Sequence, residues 1–197
     1  MKSLCVKNKW VLGACLTVVL TSHSAGAASI EVIVDNQDAE FSVISGTWGT
    51  TGGVPGTFRG DFREHAASSG GEEVRFTPTL PSDGTYNVYA HWIASGNRSQ
   101  DAVYTVNHSS GTTIATTNQQ IPPAPDLTVE LVDFELLGEF DFLAGTTGNV
   151  ELSAAADGVV IADAVIFVLL GAAIPEPTTY GLALVASMCL AIGRRRV

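Results

Sequence analysis

Between residues 30 and 169 the chain is a run of short segments that alternate apolar and polar residues. Each is closed by Gly, Pro, Asn, Asp or Ser, and none sustains a 3.6-residue period. This pattern constrains the fold more than any other feature, because a short period-two segment buries its apolar face only by pairing with others in a sheet. The spacing predicts strands over Ile30–Val34, Val43–Trp48, Glu73–Pro78, Thr85–Ile93, Asp101–His108, Thr112–Thr117, Asn149–Ser153 and Val159–Leu169. One or two more lie in Leu127–Phe142, broken at Gly138. Ser109-Ser110-Gly111 reads as a hairpin turn, and the stretch from Gly49 to Gly60 as a glycine-rich loop. The fold expected is an all-β, jelly-roll-like sandwich.

The two ends differ from this body. Lys2, Lys7 and Lys9 precede an apolar run from Trp10 to Leu20 and small residues ending in Ala25-Gly26-Ala27-Ala28. A basic start, an apolar run and an Ala-x-Ala site make a secretory leader over residues 1–28, cut after Ala27 or Ala28. At the other end, residues 172–197 hold Pro175-Glu176-Pro177, an apolar run over 181–193, and Arg194-Arg195-Arg196. The prolines stop the preceding strand from running into the helix. The arginines hold the terminus on the cytoplasmic side. This order resembles the PEP-CTERM sorting signal of bacterial exported proteins. The resemblance implies an exosortase-type processing enzyme as partner, cutting near the Pro-Glu-Pro step. It also implies a C-terminal apolar helix that is only transiently in the membrane, and delivery to the cell surface or extracellular matrix.

Without these ends, the body from Ser29 to Gly171 carries four arginines, no lysine and 19 acids, a net charge of −15. Such a surface repels nucleic acid and anionic lipid, which excludes nucleic-acid binding. Cys5, Cys15 and Cys189 all fall in the ends, so the body has no disulfide, thiol chemistry or Cys-based metal site. Its length suffices for one hydrophobic core without such staples.

An ordered series of short motifs runs through the body. It comprises Val34-Asp35-Asn36, Gly46-Thr47-Trp48, Phe76-Thr77-Pro78, Gly84-Thr85-Tyr86, Trp92, Asn97-Arg98, Tyr104-Thr105-Val106, Gln119-Gln120, Leu137-Gly138-Glu139-Phe140 and Ala162-Asp163-Ala164-Val165. The body is similar to the golvesin C-terminal domain, also found attached to xanthan lyases. The resemblance implies a jelly-roll module like the carbohydrate-binding modules, accessory to exported proteins. The chain departs from the family between Ile121 and Leu136. A proline-rich Pro122-Pro123-Ala124-Pro125-Asp126 and an acidic strand stand there in place of a short loop with a Trp.

Alternation sorts the longest strand. Tyr86, Val88, Ala90 and Trp92 share the more apolar face and read as core. Tyr89 and His91 fall on the other face, expected to be exposed. With Trp48 beside the glycine loop, they are the aromatic candidates for stacking on a sugar. Asn97 and Arg98 follow Trp92 and are candidate donors. Asp163 shares the face of Ile161, Val165 and Phe167, so its carboxylate is expected in the core, where it must be hydrogen-bonded or bind a metal. First and last strands often adjoin in a jelly roll. Asp35 or Asp38 is thus placed to complete a structural calcium site with Asp163. A hydrogen-bonded structural acid is the other reading, and no further cofactor is expected.

No enzyme is expected. His65, His91 and His108 lie in separate segments without metal-ligand spacing, and no Gly-x-Ser-x-Gly elbow is present. The function expected is an exported, non-catalytic surface or matrix protein that binds or organises extracellular polysaccharide. The alternatives are a purely structural envelope or biofilm protein without a sugar site, and a small polysaccharide hydrolase or lyase.

Overall fold

The computed structural model describes residues 31–170. Among them every regular element is a strand: β1 (Glu31–Asp35), β2 (Phe41–Ser45), β3 (Gly49–Gly52), β4 (Asp61–His65), β5 (Glu73–Phe76), β6 (Gly84–His91), β7 (Ala102–His108), β8 (Gly111–Thr117), β9 (Leu127–Val129), β10 (Val132–Phe142), β11 (Asn149–Ser153), β12 (Val160–Ala162) and β13 (Ala164–Leu169). They form two five-stranded sheets, ordered β1-β13-β6-β10-β9 and β2-β5-β11-β7-β8, and a three-stranded sheet, β12-β4-β3. All ladder pairs are antiparallel.

The core lies between the two large sheets. Tyr86, Val88 and Ala90 of β6, with Trp92 just beyond it, are fully buried, as are Val165 and Phe167 of β13. They share one cluster with Val74, Phe76, Tyr104, Val106, Val150 and Leu152 of the other sheet. Tyr86, Phe142 and Phe167 meet edge to face at centroid separations of 5.9 and 5.6 Å. The small sheet adds Phe62, Val160 and Ile161 to the same core. The alternation expected for β6 therefore holds, and the described residues form an all-β sandwich.

The outer face of the first sheet is partly covered as well. Phe58, in the connection between β3 and β4, packs there with Tyr89, Phe134, Ala164 and Ile166. Phe58 and Phe134 meet edge to face at 5.4 Å. Tyr89 and His91, expected on an exposed face, are instead 8% and 4% exposed. The alternation put them on the correct face, but the covering Phe58 arrives from a distant loop.

Several boundaries differ from the sequence reading, and β2 ends at Ser45, before Trp48. The glycine-rich stretch contains β3, and the charged segment after it is β4, so the two form a hairpin. The break expected at Gly138 is a bulge within β10, where the register against β6 shifts between Leu136 and Gly138. The chain turns instead at Glu130 and Leu131, between β9 and β10. The last predicted strand is split at Asp163 into β12 and β13. The leader at 1–28 and the tail at 172–197 lie outside the described residues.

Candidate functional site

At one end of the first sheet a cleft of about 340 Å³ opens where three loops meet the end of β6. Pro55 and Gly56 form one wall, Pro122 and Pro123 another, and Trp92, Ile93 and Ala94 border it where β6 ends. The turn between β9 and β10 completes it with Leu131, Val132 and Asp133.

Each wall has a local cause. Val54-Pro55-Gly56-Thr57 has proline at the second turn position and glycine, with φ of 92°, at the third. Thr57 N donates to Val54 O at 3.3 Å, and the whole is a type II turn. The loop around Pro122 is pinned from below, where the buried Trp92 Nε1 donates to Ile121 O at 2.9 Å. It is pinned again from β10, where Glu135 accepts from Ala124 N at 3.0 Å and Asp126 from Leu136 N at 3.0 Å. The β9–β10 turn places two non-glycine residues at positive φ, Glu130 at 52° and Leu131 at 68°. That is type I′ geometry, which favours Asn and Gly, so this turn carries strain. Its leucine is 98% exposed at the lip of the cleft.

Beneath the Pro55 wall lies a buried polar centre. Asp163, fully buried between β12 and β13, accepts through Oδ2 from Phe58 N at 3.3 Å and lies 3.5 Å from His91 Nε2. His91 Nε2 also lies 3.0 Å from Gly56 O, and its Nδ1 lies 2.8 Å from Asp133 O. Two carbonyl oxygens facing the two ring nitrogens suit a doubly protonated ring, in which both nitrogens donate. Burial acts against this and lowers the His91 pKa, while the two carbonyls raise it. Burial has the larger effect, and the ring's pKa lies below its ordinary value. Burial likewise pushes the Asp163 carboxyl up to about 8 and that of Asp35 to about 6. His91 and Asp163 thus tie the Phe58 loop and the β9–β10 turn, both of which border the cleft, to the end of β6.

The remaining candidates lie elsewhere. Trp48 is buried, donates from Nε1 to Ser45 O at 3.2 Å and packs on His65 at 5.3 Å. Tyr89 lies under Phe58, its hydroxyl accepting from Asn87 Nδ2 at 3.1 Å. Arg98 is held 3.4 Å from Glu64 and over the Phe62 ring at 5.7 Å. Asn97 is exposed, and its carbonyl accepts from Val159 N. Of the five candidates for ligand contact, only His91 borders the cleft. Leu131, Pro122, Pro123 and Asp133 were missed because their segment departs from the family pattern. The proline pair and the non-glycine turn were the signals available.

The expected metal set of Asp35, Asp38 and Asp163 does not assemble as three carboxylates. Among the described residues no three His, Cys, Asp or Glu side chains are grouped to hold a metal ion. Asp38 instead accepts from Asp35 N at 2.9 Å and lies 3.6 Å from Arg59, closing the turn after β1.

Fold and cleft together define a β-sandwich module with a loop-built recess at one end. Residues 32–169 match the golvesin C-terminal domain, and the chain belongs to that family. It is 35% identical over 145 residues to a xanthan lyase of Bacillus sp. (strain GL1), covering 71% of this chain and 15% of the relative. The solved structure of a Paenibacillus xanthan lyase shares 37% identity at a TM-score of 0.62, covering 71% of this chain and 13% of that one. The chain therefore spans about a seventh of the length of these relatives.

Proposed function

We propose that this is an exported, non-catalytic surface or matrix protein whose sandwich binds extracellular polysaccharide in the end cleft. The carrying observation is the exposed Leu131, held in a strained turn at the lip of a recess walled by prolines. Rigid apolar walls offer a surface to the C–H face of a sugar ring, and Asp133 and the loop carbonyls offer acceptors to its hydroxyls. Strain kept at a recess points to use, since an Asn-Gly turn would be more stable there. Membership of a family found in xanthan lyases supports the same reading. In it the leader exports the chain, and the Pro-Glu-Pro tail hands it to an exosortase-type enzyme.

A purely structural envelope role is the second reading. One observation favours it: among the described residues no aromatic ring is exposed, so the usual stacking platform is missing. The two readings separate in affinity electrophoresis of the purified protein through neutral and acidic polysaccharides, xanthan included. Binding at the cleft predicts retardation in at least one gel. Leu131→Asp would abolish it with the melting temperature unchanged or slightly raised, because Leu131 is already in solvent and Asp tolerates positive φ better. Mobility equal to a non-binding control in every gel would leave the structural role.

A further inference from the structure

We propose that Asp35, Asn36 and Asp163 form a calcium site that ties the first strand to the junction between the last two. It lies beneath the Pro55 wall of the cleft, and the proposal does not depend on sugar binding there. The first observation is positional. Asp35 ends β1 opposite Ala164, and Asn36 N donates to Asp163 O at 2.9 Å, so the three residues come from backbone joined by direct pairing. Asp61 adjoins them, accepting from Asn36 Nδ2 at 2.5 Å. The second observation points to a ligand. Asp35 Oδ2, Asn36 Oδ1 and Asp163 Oδ1 are all buried and have no hydrogen-bond partner. Their residues are 1%, 2% and 0% exposed.

Buried polar atoms are almost always satisfied, and three orphaned oxygens in one neighbourhood, two of them on carboxylates, ask for a cation. Protonation of Asp163 or Asp35 is the competing answer, since a carboxyl O–H donates to a neighbouring oxygen; a bound cation answers all three oxygens without it. Every orphan is oxygen, which suits a hard cation. The nearest imidazole is turned to carbonyls, and no cysteine lies in the body, which leaves little for zinc or copper. Calcium accepts carboxylate, amide and backbone oxygens in irregular arrangement, whereas magnesium demands a near-octahedral set. The proposed donors are two carboxylates and an amide, with Asp61 beside them. The like charges of Asp35 and Asp61, both felt at Asp163, are what a divalent ion would offset.

The test uses the whole purified protein, stripped with EDTA. Titrating calcium chloride in a calorimeter should give one equivalent of binding. The melting temperature in 1 mM calcium should exceed that in EDTA by about 5 °C or more, since binding the folded state alone raises stability. Magnesium at the same concentration should give less than half that shift. Asp163→Asn should lose the calcium response. If that variant fails to fold, the wild-type titration decides alone. No heat and equal melting in calcium and EDTA would overturn the site, as would equal shifts from both ions, which would mean screening of the acidic surface.

Discussion

Trp92 shows how far a single side chain can be understood from its place in a strand. Alternation put it with Tyr86, Val88 and Ala90, and the structure buries all four between the sheets. Its indole nitrogen then reaches Ile121 O, so one residue both fills the core and anchors a cleft wall. Trp92→Ala should therefore lower stability by about 3–5 kcal/mol in urea unfolding. It should also loosen the Pro122 loop, read as faster amide exchange at Ala124. Unchanged exchange there would mean that the loop is held by Glu135 and Asp126 without it. Tyr89 and His91 mark the limit of the same reasoning. Period two fixes the face of a side chain but not what later folds over that face. The Phe58 loop that covers them lies more than 30 positions earlier and has no periodicity of its own. The exclusion of Asp38 was hidden for a similar reason, because its turn-closing bond to Asp35 N depends on how the chain bends after β1.

At the scale of elements, the strands with alternating apolar residues were legible and the polar ones were not. Glu73–Phe76, Ala102–His108 and Asn149–Ser153 announce themselves by apolar residues that return every second position. Asp61–His65 presents four charged or titratable residues out of five around Phe62, and pairs with a strand made of glycine and threonine. Its stability comes from pairing and from Phe62 in the core, neither of which is a local signal. Glycine misled in β10. Gly138 has φ of 153°, and a Cβ there would lie 2.6 Å from the Phe140 ring. It therefore marks a bulge within a continuous strand rather than an end. Gly138→Ala should cost about 1–3 kcal/mol in thermal or urea unfolding, through that clash and the strained φ. A loss below about 0.5 kcal/mol would mean that the Phe140 ring moves aside freely.

For the molecule as a whole, the order of strands decides how it answers a pull. β1 and β13 lie side by side and antiparallel, with Glu31 opposite Val168 and Asp35 opposite Ala164. The two ends of the sandwich therefore leave from the same side. A load applied between them would act across the ladder and open its hydrogen bonds one pair at a time, as a zipper, rather than shearing all of them together. In an optical trap with handles at residues 30 and 170, β1 should peel from β13 before the sandwich ruptures, giving a small early extension. A single rip of the full contour length would show instead that this edge is as strong as the core. Calcium at the Asp35 end of that ladder should act as a stop on the zipper, raising the force of the step that follows the peel. A surface protein held by one end bears no such load. One caught between two anchors would lengthen first by the reach of a single strand, a compliant give before any of its core is at risk.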